Sequence, residues 1–73
     1  MTNRIMLLAE ANENTVAVRT VSARMKSPQR FYITYEELGR IVNEGRIISN
    51  DIHSFAKIWP DNIRFHLAVR ALL

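Results

Sequence analysis

Along this chain apolar residues first alternate with polar ones, then recur every three or four positions, and finally alternate again. Residues 4–9 set Ile5, Leu7 and Ala9 at every second position, which predicts a strand with that set facing inward. The polar cluster Asn12-Glu13-Asn14 predicts a turn. Over residues 15–23, Val16 and Val18 alternate with Thr15, Ala17 and Arg19, a second strand that would close an antiparallel hairpin. Residues 24–29 are polar, basic and contain Pro28, so they are expected to form a loop and to be the most mobile internal segment.

The strongest local signals lie over residues 30–48. Phe31 and Ile33 alternate with Arg30 and Tyr32, a short strand of β-prone residues. Thr34 with Glu37 three positions on forms a capping box, in which each side chain answers a backbone donor that a helix start leaves unpaired. Leu38, Ile41 and Val42 share one helix face, and Gly45 stands where a helix end favours a left-handed residue. A short helix of about two to three turns follows from this spacing. Arg46-Ile47-Ile48 then leaves in an extended conformation.

Ser49-Asn50-Asp51 offers a second helix cap. Ile52, Phe55, Ala56 and Trp59 repeat at i, i+3, i+4 and i+7, which predicts a second amphipathic helix ended by Pro60. Residues 62–70 alternate again, with Ile63, Phe65, Leu67 and Val69 on one side and Arg64, His66, Ala68 and Arg70 on the other. The alternation favours a strand. The competing reading is a helix capped by Asp61, supported by the helix propensity of Leu67, Ala68, Ala71, Leu72 and Leu73. The expected fold is therefore α+β, a single domain over residues 1–73 built on a small antiparallel sheet of about four strands with two short helices on one face.

Size sharpens this picture. A chain of 73 residues buries only roughly 60% of its unfolded surface and keeps a thin stability margin. Hydrophobic content of 48%, with two glycines and two prolines, is nevertheless a folding composition. Without cysteine, disulfide and thiolate–metal support are excluded, which leaves self-association or docking as the available aid. The run Ile5-Met6-Leu7-Leu8-Ala9 after Arg4 imitates a signal peptide but falls short of the about 7–15 apolar residues of an h-region. No run approaches the roughly 20 residues needed to span a bilayer. A cytoplasmic protein without membrane insertion is the expectation.

Candidate chemistry is sparse. His53 and His66 lack cysteine or acidic companions at metal-ligand spacing, so no metal is expected. Ser22, Ser27, Ser49 and Ser54 lie in no nucleophile-elbow context, and Glu36 and Glu37 read as first-turn charges at the positive end of a helix. Gly39 and Gly45 form no phosphate loop. No enzyme activity and no cofactor are expected.

The surface offers more. Net charge is +3. If the strands share one sheet, Arg19, Arg30, Tyr32, Arg64, His66 and Arg70 lie on its uncovered side. Of these, Arg19, Arg30, Tyr32, Arg64 and Arg70 would form a basic face with an aromatic for phosphates and bases. The plainer reading of the same residues is a solvated sheet face. Trp59 is either a core anchor, the default in so small a domain, or an interface anchor. The apolar tail Ala71-Leu72-Leu73 is expected to dock on the domain or under another chain.

Two families share features with the central stretch. Phe31-x-Ile33-x-Tyr35, Arg40-Ile41 and Gly45-Arg46-Ile47-Ile48 resemble the CpcD-like domain of phycobilisome linker polypeptides, small modules that plug into pigment-protein rings. That likeness spans residues 4–48 and leaves the last 25 residues without a counterpart. Glu37-Leu38 through Gly45-Arg46-Ile47 is similar to the helix of GYF-type adaptor domains, which recognise proline-rich peptides, though their Gly-Tyr-Phe signature is missing here. Both resemblances imply non-catalytic binding. The thin core, the apolar tail, Trp59 and sheet edges open to strand addition make the expected function a protein-binding module, an adaptor, assembly linker or inhibitor, acting through Trp59, Arg64, His66, Arg70, Leu72 and Leu73. The alternative is nucleic-acid binding through the basic face.

Overall fold

The computed structural model describes residues 4–21 and 29–73. The loop expected over residues 24–29 lies outside them except for Gln29, as do Ser22 and Ser27. The order of elements is β1 (Arg4–Glu10), β2 (Thr15–Val21), β3 (Arg30–Thr34), α1 (Tyr35–Asn43), α2 (Ser49–Ile58) and α3 (Ile63–Val69). The α+β class holds, with a three-stranded antiparallel sheet in the order β1-β2-β3 and three helices rather than four strands and two helices.

The hairpin turns where the polar cluster predicts. Asn12 Oδ1 accepts the amides of Asn14 and Thr15 at 2.8 and 3.1 Å, a side chain holding the turn closed. Register then assigns the faces. Leu7 pairs with Val18, Val18 with Phe31 and Val16 with Ile33, which puts these residues and Ile5 on the covered side. Ala9 departs from expectation: the register shifts between Leu7 and Ala9, and this bulge turns Ala9 to the other face, opposite Ala17.

Thr34 caps α1, its hydroxyl oxygen accepting the Glu37 amide at 3.1 Å while the hydroxyl donates to the Glu37 carboxylate at 3.3 Å. At the other end Gly45 adopts φ 72°, the Gly45 amide donates to Val42 and the Arg46 amide to Ile41. This is a Schellman stop, and a side chain at Gly45 would be strained by the left-handed backbone. In α2, the helix begins at Ser49 and the N-cap position falls to Ile48, whose side chain carries no acceptor, so the cap expected from Ser49-Asn50-Asp51 does not form.

The correction concerns residues 63–69, which are helical. Their alternation is two i, i+4 pairs laid over each other. Phe65 and Val69 are fully buried, at 0% exposure, whereas Ile63 and Leu67 are 70% and 61% exposed. Ile63 and Phe65 stand about 200° apart on a helix, so period two and period 3.6 coincide over this short segment. Asn62 rather than Asp61 decides the outcome. Its side-chain oxygen accepts the Phe65 amide at 3.0 Å and its amide donates to the Tyr35 hydroxyl at 2.8 Å, which ties the start of α3 to the start of α1. Phe65 stacks on Phe55 with centroids 4.5 Å apart, joining α3 to α2.

The helices and the covered sheet face share a core that includes Leu38, Ile47, Ile52 and Phe65. Because Asn62 is its buried polar joint, Asn62→Ala is expected to lower stability by about 2 kcal/mol, through loss of the cap and an unpaired Tyr35 hydroxyl. Urea unfolding of Asn62→Ala, Tyr35→Phe and the double variant should show a coupling of about 1 kcal/mol. Strictly additive effects would contradict the joint.

Candidate functional site

Helix α3 replaces the predicted strand, so the basic residues expected on one face fall in two places. Arg19, Arg30 and Tyr32 lie on the uncovered side of the sheet, where Arg19 is directly opposite Arg30 and Tyr32 is opposite Ala17. Tyr32 is 62% exposed. Arg19 also donates to the Met6 sulfur at 3.1 Å. Arg64, His66 and Arg70 belong to α3 and its end instead. Arg64 donates to the Asn14 side-chain oxygen in the hairpin turn, His66 Nε2 donates to the Pro60 carbonyl at 3.1 Å, and Arg70 is the exposed C-cap of α3.

Trp59 caps the end of α2 and is half-buried, its ring 6.3 Å from that of Phe55. It packs against the core, and its buried indole N–H meets no acceptor among the described residues. Leu72 and Leu73 stay exposed beyond α3, with the Leu72 amide bonded to the Val69 carbonyl at 2.9 Å. The structure therefore gathers Arg64, Arg70, Leu72 and Leu73 on or just beyond α3, and draws Trp59 and His66 partly inward.

Sequence reasoning missed Ile63 and Leu67. It placed them on a buried strand face, yet both point away from a core already filled by Phe65 and Val69. The signal was present in the Asn62 cap three residues before Phe65, the spacing of an N-cap to the amide it accepts.

It also missed an asymmetry of the sheet edges. On β1 the outward amide of Ile5 donates to the Arg46 carbonyl at 2.9 Å and that of Leu7 to the Asp51 carboxylate at 2.7 Å. On β3 the bonds Thr20–Gln29 and Tyr35–Asn14 fix which residues face β2. Arg30 and Tyr32 consequently turn their amides and carbonyls outward, and Thr34 its amide, with no backbone partner among the described residues.

Among the described residues no group of three or more His, Asp or Glu side chains is placed to hold a metal ion. No helix there is long and apolar enough to cross a membrane. Comparison with known proteins finds no matching family model, no matching curated protein and no matching solved structure. The two resemblances of the central stretch thus extend to no family match.

Burial raises the Asp51 carboxyl above its ordinary pKa, and the Leu7 amide opposes that shift less strongly. The folded protein therefore holds this proton to higher pH than the unfolded chain. Stability from this group is present in acid and is lost as pH rises from about pH 4 through the raised folded value. Asp51→Asn, which keeps an acceptor for Leu7, should remove that fall. Asp51→Ala should cost about 1–3 kcal/mol at neutral pH by orphaning the Leu7 amide. Urea midpoints at acidic and neutral pH check both, and identical pH dependence in wild type and Asp51→Asn would contradict the assignment.

Proposed function

We propose that this chain is a non-enzymatic, cytoplasmic protein-binding module of the adaptor, assembly-linker or inhibitor kind, which docks its partner on the outward face of α3. The observation that carries the reading is the solvent-facing pair Ile63 and Leu67, one helical turn apart on the side opposite the core. Isolated exposed aliphatics are ordinary. A pair at i, i+4 is the anchor spacing by which a helix enters an apolar groove, and covering each side chain returns about 1.5–3 kcal/mol. Arg64 and Arg70 flank the pair, so the partner that fits best carries an apolar groove rimmed by carboxylates. Leu72 and Leu73 continue the apolar surface past the helix end.

A second reading rests on the uncovered sheet face. Arg19 and Arg30 stand directly opposite each other, an arrangement of like charges that an anion would relieve, with Tyr32 beside them for stacking on a base. Single-stranded nucleic acid fits that chemistry. It would engage Arg19, Arg30 and Tyr32 without Arg64 and Arg70.

Capture from host extract separates the two. The double variant Ile63→Lys, Leu67→Lys should change stability by no more than about 0.5 kcal/mol, because both side chains are exposed, and should lose the captured protein. Arg19→Ala should leave that protein bound. If capture instead disappears with nuclease or modest salt and depends on Arg19, the nucleic-acid reading replaces the first. Retention of the same protein by the double variant would overturn the α3 assignment.

A further inference from the structure

We propose that two copies of this chain join through their β3 edges, antiparallel about a twofold axis at Tyr32, to make one continuous sheet. This surface is separate from the α3 face and does not depend on it.

The first support is the difference between the edges. Growth at β1 is blocked because the Ile5 and Leu7 amides are already taken by Arg46 and Asp51. At β3 the outward groups of Arg30, Tyr32 and Thr34 form a ladder ready for another strand.

The second support is the sequence of β3 itself, Arg-Phe-Tyr-Ile-Thr, which is complementary to its own reverse. Pairing about Tyr32 sets Tyr32 against Tyr32 of the partner subunit and Phe31 against Ile33 of the partner subunit. The latter pair lies on the covered side, where Phe31 is only half-buried in the single chain and a second strand would extend the core over it. On the other side Arg30 faces Thr34 of the partner subunit. The Thr34 hydroxyl holds the Glu37 carboxylate at 3.3 Å, so each Arg30 guanidinium comes beside an anchored carboxylate of the other copy. The twofold makes this attraction twice, together with about four backbone hydrogen bonds. An arbitrary extended peptide would gain the backbone bonds alone, which is why a second copy is the occupant.

Charge exchange tests the pairing, with circular dichroism verifying that each variant keeps the fold, since Glu37 also meets Thr34 at the start of α1. Sedimentation equilibrium from micromolar to millimolar protein should show the mean mass rising from that of the 8.5 kDa chain towards twice it. Arg30→Glu alone and Glu37→Arg alone each place like charges together and should remain single chains where wild type pairs. Their equimolar mixture should pair, because each variant then meets the opposite charge on the other. Tyr32→Pro removes an amide that faces out of the sheet, so the fold is kept, as circular dichroism would verify, while association weakens about thirtyfold, the equivalent of two lost backbone hydrogen bonds. A single-chain mass throughout for wild type, a mixture that pairs no better than its components, or a dimer indifferent to Tyr32→Pro would each overturn the proposal.

Discussion

The outward amides of β1 are the constraint around which this small fold is arranged. A three-stranded sheet has two edges, and at one of them the protein spends a carbonyl and a carboxylate on the Ile5 and Leu7 N–H groups. One acceptor, the Arg46 carbonyl, comes from the connection between α1 and α2, and the other, the Asp51 carboxylate, from the first turn of α2, both far along the chain. To deliver them, α1 must begin at the end of β3 and stop where Gly45 allows the left-handed turn. Ile47 can then enter the core and Asp51 can face β1 from the first turn of α2. A carboxylate that would ordinarily cap its own helix is used between elements, and burial raises its pKa as a result.

With one edge sealed, the remaining exposed features become informative. The space between the covered sheet face and the helices is filled by residues such as Val16, Val18, Leu38 and Phe65, all at 0% exposure. Nothing inside is left for Ile63 and Leu67 to pack against. Their placement on the outer side of α3 departs from that inside-outside economy, as does Ile58 at the end of α2, but Ile63 and Leu67 do so as a pair one turn apart on a single helix face. The β3 edge is the corresponding departure in the sheet. One concerns apolar surface and the other backbone polarity, which is why they can serve different partners.

Short-range chemistry was legible in the sequence. The turn at Asn12, the Gly45 stop and the alternation of Val16 with Val18 each rest on neighbours within a few residues and stand as expected, whereas of the Thr34–Glu37 box only the Thr34 half forms, the Glu37 carboxylate taking the Thr34 hydroxyl in place of its amide. What failed was decided at long range or by coincidence of period. Residues 63–69 alternate because two helical pairs with opposite exposures interleave, and a contact between Asn62 and Tyr35, distant in sequence, selects the helix. Ala9 turned over because a bulge is invisible to a pattern of period two. Asp51 was legible as a cap and serves instead as an edge partner for Leu7. The candidate site inherited the error at 63–69, since the basic face assumed one sheet where the structure has a sheet and a helix.

The unequal edges are the claim on which the rest stands, and residue-resolved amide exchange in dilute solution examines them most directly. The account predicts that the Ile5 and Leu7 amides are protected alongside the interior of the sheet, while those of Arg30 and Tyr32 exchange almost as in an unstructured chain. Rapid exchange at Leu7, or protection at Tyr32 equal to that at Leu7 in the single chain, would contradict it.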